Sequence, residues 1–201
     1  MSNIFSTVEP IDFWVWINPD NWLVRHQISV TGGFTSGGLF DTGRKSNLMF
    51  IPNPEFRGDV TPFQHEIMWK YLAEYNLELS RERYFNQYPS RLNSVYLFQS
   101  KNEARRYSDQ HKWHVGDRIL KKCHSVGAAL YSVHDSSWVD FLRQSHMIDP
   151  ESIHNVRHGY WSGQRVQDFQ LQSMGKPWTE DTIFEALFIG RVEFYDRDLE
   201  R

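Results

Sequence analysis

Glu185 is an acidic residue in an unusual sequence context. It lies in the apolar segment 183–188, where burial of a charge is costly unless the side chain faces a cleft or meets a partner. A carboxylate held beside a sugar can stabilise positive charge that develops on the ring, and it can anchor a hydroxyl group. The alternative is an exposed position on an edge strand.

Two hydroxyls and a guanidinium precede a short apolar segment. Ser90, Arg91 and Ser94 stand directly before residues 95–98. A serine hydroxyl can orient a carboxylate, and an arginine can neutralise a pyrophosphate through paired hydrogen bonds. Tyr96 in this segment, and Trp16 near the start of the chain, carry rings that can stack on a flat heterocycle.

Residues 80–122 form a basic and aromatic stretch. They contain ten Lys or Arg residues and four Asp or Glu residues, although the whole chain has a net charge of −3. Positive side chains bind phosphates, and interleaved rings stack on bases. We therefore predict anion, nucleotide or nucleic-acid binding here, with a solvated helix face as the alternative. The candidate nucleic-acid-binding residues are Arg105, Arg106, Lys112, Lys121 and Lys122.

The nine histidines do not predict a metal site. His111 and His114 have ligand spacing, as do His154 and His158, but neither pair has an obvious third ligand, and a catalytic zinc typically has three. Residues 38–46 nearly match a phosphate-binding loop, but Arg44 separates the second glycine from the lysine that such a loop requires. We interpret this segment as a flexible loop.

Length and composition indicate one soluble domain. A chain of 201 residues, 40 % of them hydrophobic, can bury a single core. The longest strongly apolar run, residues 13–17, is far shorter than the roughly 20 residues that span a bilayer, so we expect no membrane association. The single cysteine, Cys123, excludes an intramolecular disulfide and fits a reducing, cytoplasmic compartment.

Capping residues and apolar periodicity predict an α+β fold in one domain over residues 1–201. The strands are predicted at residues 95–98 and 130–133, with two more at residues 184–195 that are broken at Gly190. Residues 31–62 form a loose segment rich in Gly and Pro. The predicted helices begin after Thr61, Ser100, Ser136 or Ser137, and Asp149; the second ends near His111 and the last at Gly159.

Four short blocks within residues 75–195 carry a family resemblance. They are Glu78-x-x-Arg81-x-x-x-Phe85-x-x-x-Pro89-Ser90-Arg91-x-x-Ser94-Val95-Tyr96-Leu97, Lys101-Asn102-Glu103-Ala104-Arg105, Tyr160-Trp161-Ser162-Gly163 and residues 184–192. Together they resemble a bacterial and phage family related to ADP-ribosyltransferases. The resemblance implies an ADP-ribosyltransferase-like fold, with a split mixed or antiparallel sheet flanked by helices, and NAD as co-substrate.

The resemblance also implies a role for each candidate residue. The catalytic residues would be Glu185, at the start of the penultimate strand, and Ser94; the NAD-binding residues would be Ser90, Arg91, Tyr96 and Trp16. The first strand of such folds usually supplies an Arg or His that grips the cofactor, and residues 13–17 contain neither. Arg25 and His26 lie just beyond and are the candidate substitutes.

These expectations define two functions. The first is a mono-ADP-ribosyltransferase that modifies RNA or DNA as a toxin or phage-defence effector, with an antitoxin as its protein partner. For this function, a protein or water remains an alternative acceptor of the ADP-ribose. The second is a nucleotide- or nucleic-acid-binding protein without catalysis, on a degenerate version of the fold. The missing Arg or His of the first strand favours the second function.

Overall fold

A six-stranded sheet forms the centre of the protein. The computed structural model describes residues 3–40, 62–144, 150–173, 176–178 and 181–199. The strands of this sheet are β1 (Ile4–Thr7), β2 (Asp12–Ile17), β3 (Gly33–Thr35), β4 (Val95–Leu97), β5 (Ile119–Asp135) and β8 (Phe184–Phe194). A small separate hairpin consists of β6 (Gln172–Ser173) and β7 (Lys176–Pro177).

The two longest strands, β5 and β8, lie side by side at the centre of the sheet. β1 and β2 pair with β5 at different positions along its length, and β3 and β4 pair with β8 in the same way. Every strand pairing among the described residues is antiparallel. The sheet is therefore divided into two halves that share only the central pair.

The central pair is bent between these halves. The register of β5 against β8 shifts between Val126 and Leu130. Gly127 has a φ of 72° and Gly190 a φ of 146°, conformations that residues with a side chain rarely adopt. The bend brings β2 close to the end of β4, where Trp14 and Phe98 exchange backbone hydrogen bonds of 2.8 Å in each direction.

The bent sheet encloses the main core. Alternate residues of β2 point inward, so that Phe13, Val15 and Ile17 are buried, as expected for a strand with one face in the core. They pack with residues of the other half, including Phe188. The opposite face of β2 carries Trp14 and Trp16, which pack in a smaller cluster around Phe98.

Six α-helices lie in the described parts of the chain. They are α1 (Trp22–Thr31), α2 (Pro62–Tyr84), α3 (Lys101–Gln110), α4 (Lys112–Val115), α5 (Ser137–Gln144) and α6 (Pro150–Trp161). Helices α2, α5 and α6 form a second core around Trp138 and Trp161, and this core packs on Leu187 of β8. The protein is thus a single-domain α+β protein with an open antiparallel sheet, and its α+β class is confirmed.

Several predicted elements are confirmed. Helix α3 begins after Ser100, whose hydroxyl accepts a hydrogen bond from the Glu103 amide at 3.1 Å, and β4 occupies the predicted segment. Helix α5 begins at Ser137, but its first amide is held by the Asp135 carboxylate at 3.0 Å, not by a serine cap. The cap predicted at Thr61 lies outside the described residues, as does most of the loose segment 31–62.

Two predictions about elements are wrong, one strand was predicted only in part, and one helix was missed. The tail is one 11-residue strand, because Gly190 lies at the bend and does not interrupt the pairing. Helix α6 continues past Gly159 to Trp161, since the small residue lets the Trp138 ring lie against the helix. Strand β5 has 17 residues, of which sequence patterning found only residues 130–133. Helix α1 was not predicted at all.

In the described residues, none of the helices combines the length and the hydropathy that a membrane-spanning segment needs.

Candidate functional site

A cleft of about 310 Å³ opens beside the N-terminal end of β8, a volume at the lower end of those typical of ligand pockets. Its walls come from β2, β4, β8 and helices α2 to α5. Rings line one part and charged groups line the rest. The rings are Trp16, Tyr96, Phe98 and Tyr107, and the charged or titratable groups are Glu74, Arg91, His114, Arg118, Asp140, Arg143 and Glu185.

Glu185 lies at the base of this cleft and is 7 % exposed. Strand alternation places Glu185 and Leu187 on the face of β8 that meets the helices, whereas Ala186 faces the main core. The carboxylate atom Oε1 forms an ion pair with Arg91 Nη1 and accepts a hydrogen bond from the Tyr160 hydroxyl at 2.9 Å. Burial raises the pKa of Glu185, although Arg91 and Tyr160 oppose this shift.

Arg91 is shared between two carboxylates. Its Nε and Nη2 donate to Glu74 on α2 at 2.7 and 3.1 Å, and its Nη1 also donates to the Tyr160 hydroxyl at 2.6 Å. Burial disfavours the charged guanidinium, but Glu185 and Glu74 outweigh burial and raise the pKa of Arg91 well above its usual value. Arg91 thus lines the cleft, but its donors are largely used within the protein.

Glu74 links Arg91 to the rim of the cleft. Its Oε1 also accepts a hydrogen bond from Arg143 Nη2 on α5 at 3.1 Å. Burial disfavours the charged carboxylate, but the two guanidiniums prevail and lower the pKa of Glu74. A chain of alternating charges therefore runs from Glu185 through Arg91 and Glu74 to Arg143.

The predicted stacking residues Trp16 and Tyr96 lie in the same cleft. The Trp16 indole donates to the Ala104 carbonyl at 2.8 Å, which holds α3 against β2. The Tyr96 hydroxyl donates to the Arg91 carbonyl at 2.7 Å, and its ring packs against the Arg91 guanidinium. Tyr107 on α3 adds a third ring, and burial raises the pKa of its hydroxyl to about 12.

Neither of the two predicted serines makes a hydrogen bond to Glu185. Ser90 donates to Glu78 Oε2 at 2.9 Å, and Glu78 also pairs with Arg81. Ser94 donates to the Ser90 carbonyl at 2.6 Å. These bonds shape the turn that carries Arg91 into the cleft, and the hydroxyl that contacts Glu185 belongs to Tyr160.

The outer rim of the cleft carries His114, Arg118, Asp140 and Arg143. The His111 imidazole lies behind it, with Nε2 3.2 Å from Asp140 Oδ2 but too poorly aligned for a hydrogen bond. The imidazole of His114 is partly desolvated and feels the charges of Arg118 and Arg143, and together these effects lower its pKa.

Three of the five predicted nucleic-acid-binding residues are paired with acidic side chains. Lys121 pairs with Asp196 at 3.0 Å, Lys122 with Asp12 at 2.5 Å, and Arg106 with Glu103 at 3.5 Å. Arg105 and Lys112 are exposed and have no acidic partner in the described part of the chain. The partners of Lys121 and Lys122 come from distant segments, which a local count of charges does not include.

The candidate substitutes for the first-strand cofactor contact lie elsewhere. Arg25 and His26 belong to α1 and line an open surface pocket with Arg197, separate from the cleft of Glu185. Among the described residues there is no group of three or more His, Cys, Asp or Glu that could hold a metal ion. Only the first residues of the loop 38–46 are described, as a 3-10 helix.

Sequence reasoning did not assign roles to Glu74, Tyr160 and Arg118. Tyr160 stands in one of the blocks that carry the family resemblance, so the signal for it was present. Arg118 belongs to the basic stretch 80–122 but was not singled out within it. Glu74 gave no signal, because nothing local distinguishes it from a surface charge.

Comparison with models of known protein families matches none of them to this chain, and comparison with curated proteins finds no significant sequence match.

Proposed function

We propose that this protein is an NAD-dependent mono-ADP-ribosyltransferase with an ADP-ribosyltransferase-like fold, and that Glu185 is its catalytic carboxylate. One observation carries the proposal. Oε1 of Glu185 is held by Arg91 and Tyr160, whereas Oε2 accepts no hydrogen bond from any described residue. Because the side chain lines the cleft, one oxygen is anchored and the other is available to a ligand.

This arrangement fits the charge that develops during transfer. When the nicotinamide–ribose bond breaks, its electron pair leaves with nicotinamide and the ribose becomes an oxocarbenium ion. A carboxylate oxygen beside the ribose stabilises that cation. This stabilisation is strongest when the charge is already in position and the site is shielded from water. The acceptor then forms a bond to the ribose carbon and loses its proton. Trp16 and Tyr96 supply rings against which the nicotinamide can stack.

We propose a nucleic acid as acceptor. Trp113 on α4 is 81 % exposed and is followed directly by His114 and Val115, which line the cleft. An exposed ring beside a cleft can stack a base, with a contribution of about 1–3 kcal/mol for each stacked base. Its neighbour Lys112, and the exposed Arg105 on α3, which packs against α4, add positive charge.

The direct test measures nicotinamide released from NAD, with and without total RNA, for the wild type and for Glu185→Gln. The substitution preserves the shape of the side chain and removes its charge, so release should fall about a hundredfold to a thousandfold. Glu193→Gln on the same strand is the matched control and should release nicotinamide at the wild-type rate.

A second control separates the catalytic role of Glu185 from the mere loss of an ion pair at Arg91. Glu74→Gln removes the other carboxylate from the same guanidinium and leaves Glu185 in place. It should cost stability, measured as the midpoint of thermal unfolding, and should reduce release far less than Glu185→Gln does. Equal rates for the wild type and a folded Glu185→Gln variant would refute the assignment of Glu185.

Binding without catalysis is the second candidate function, and a specific observation favours it. The Arg91 guanidinium compensates the charge of Glu185, and burial raises the pKa of the same carboxylate, so less negative charge faces the cleft. If this function is correct, NAD or ADP will bind to the wild type, with no nicotinamide released at any RNA concentration.

A further inference from the structure

Three guanidiniums and three carboxylates line the cleft, but their pairing is uneven. Arg91 contacts Glu185 and Glu74, and Arg143 contacts Glu74 at 3.1 Å and Asp140 at 3.9 Å. Arg118 contacts none of the described carboxylates. The one hydrogen bond of its guanidinium to a described residue goes from Nη1 to the Val115 carbonyl at 3.1 Å. The cleft therefore holds one guanidinium whose charge no described carboxylate compensates.

From this imbalance we infer that Arg118, together with Arg143 and His114, forms a subsite for the phosphates of a nucleotide whose base lies among the rings of the cleft. Guanidinium groups bind phosphate oxygens through paired, charge-assisted hydrogen bonds. Arg143 is 40 % exposed at its side chain and retains donors beyond the bond to Glu74. This assignment rests on the proposed function only for the identity of the nucleotide.

Arg91 is poorly suited to the same task. It is 5 % exposed, and its Nε, Nη1 and Nη2 atoms all donate to Glu74, Glu185 or Tyr160. A phosphate that took these donors would leave two buried carboxylates without their partner, which is strongly unfavourable. The phosphates should therefore bind at the rim, while Arg91 orients Glu185 at the base.

The surroundings of His114 provide an internal reporter. The positive groups that act on its ring are Arg118, Arg143 and His111, and the negative group is Asp140. Desolvation and the positive charges lower the pKa of His114. An anion bound between Arg118 and Arg143 would favour the imidazolium form and should raise this pKa.

The test titrates the protein with inorganic pyrophosphate and with ADP, at low salt, by calorimetry and by NMR of the histidine rings. The His114 signal is assigned by its loss in His114→Gln. Both ligands should bind, and both should raise the pKa of His114. Arg118→Gln should weaken binding about tenfold or more, as expected for loss of a charge-assisted contact, whereas Arg83→Gln, which changes an exposed arginine of α2 outside the cleft, should bind like the wild type.

The outcomes separate this subsite from the proposed function. If binding depends on Arg118 but no nicotinamide is released from NAD, the subsite is supported. Only the proposed transferase activity is then contradicted. Equal affinity of Arg118→Gln and the wild type for pyrophosphate, or a His114 pKa that does not move, overturns the subsite. A single-stranded RNA oligomer that binds through Arg118 when pyrophosphate and ADP do not would also overturn it, since the arginine would then serve a polynucleotide backbone.

Discussion

At the scale of single residues, buried charge is confined to places where partners compensate it. Arg91 stabilises two carboxylates at once, and removal of one partner of a buried ion pair typically costs about 3–5 kcal/mol. Compensation by Arg91 explains why Glu185 can stand in the apolar segment 183–188. Arg91, which positions the carboxylate of Glu185, is therefore as important to the site as Glu185 itself.

His134 is a second buried titratable residue, and it lies outside the cleft. Its side chain is fully buried, with Nδ1 2.9 Å from the Tyr160 carbonyl and Nε2 2.8 Å from the Ser132 hydroxyl. The ring stacks on Tyr160, the residue that donates to Glu185. Burial lowers the pKa of His134 from its usual 6.5 to about 3, so the imidazole is neutral in the folded protein.

This shift predicts how stability depends on pH. Below pH 6.5 the unfolded chain binds a proton at His134 and the folded chain does not, so stability present above pH 6.5 is lost as pH falls towards about 3. The free energy of unfolding should decrease by up to about 1.4 kcal/mol for each pH unit in that window from this group alone.

Urea unfolding of the wild type and of His134→Gln, at several pH values between about 4 and about 7, measures this effect. His134→Gln should be less stable at pH 7 and should show a flatter pH dependence. His26→Gln, which changes an exposed histidine of α1, should retain the wild-type slope. Parallel curves for the wild type and His134→Gln would contradict the prediction.

At the scale of elements, Asp135 joins three segments at the end of β5. Its Oδ1 accepts from the Ser137 amide at 3.0 Å, and its Oδ2 accepts from the Val166 amide at 2.8 Å and the Thr182 hydroxyl at 2.9 Å. One carboxylate thus holds the start of α5, a 3-10 helix and the segment that leads into β8. Helix α5 carries Asp140 and Arg143 of the cleft, so this contact also positions the rim.

Asp135→Ala should destabilise the protein severely. The change leaves three buried donors without an acceptor, and unsatisfied buried donors cost about 1–3 kcal/mol each, so a loss of roughly 3–5 kcal/mol in the free energy of unfolding is expected. Asp135→Asn, which keeps one acceptor oxygen, should lose less.

Chemical denaturation measures both variants against Asp109→Ala, which changes an exposed carboxylate on α3 and should stay within about 0.5 kcal/mol of the wild type. A loss for Asp135→Ala as small as that of the control would show that the three segments are held by other contacts.

At the scale of the whole molecule, the bend in β5 and β8 makes both the core and the cleft. It folds one half of the sheet over the other around Phe13 and Phe188, and it brings Trp16 of one half near Glu185 of the other. Cys123 lies inside this core with no exposed surface. Burial raises the pKa of its thiol to about 12, so the reactive thiolate is scarce in the folded state.

The position of Cys123 predicts that a thiol reagent reports global unfolding. Native protein should react at least about a thousandfold more slowly than protein in concentrated urea, because modification requires opening of the core. The rate should rise in Asp135→Ala in proportion to its lost stability. Rapid labelling of the native wild type, at the rate of the unfolded chain, would mean that β5 opens locally.

The sequence by itself determined the α+β class, helix α3 with its Ser100 cap, strand β4 and the residues Glu185, Arg91, Tyr96 and Trp16 that share the cleft. Capping and apolar patterns are local, and a carboxylate in an apolar segment is visible without a structure. Only the tertiary structure decided the single bent β8, the 17 residues of β5, and the partners of each charge. Lys121 and Lys122 meet Asp196 and Asp12 across the fold, and Tyr160 reaches Arg91 from a helix far away in the chain. Ion pairing and sheet curvature depend on contacts between distant segments, which no local pattern encodes.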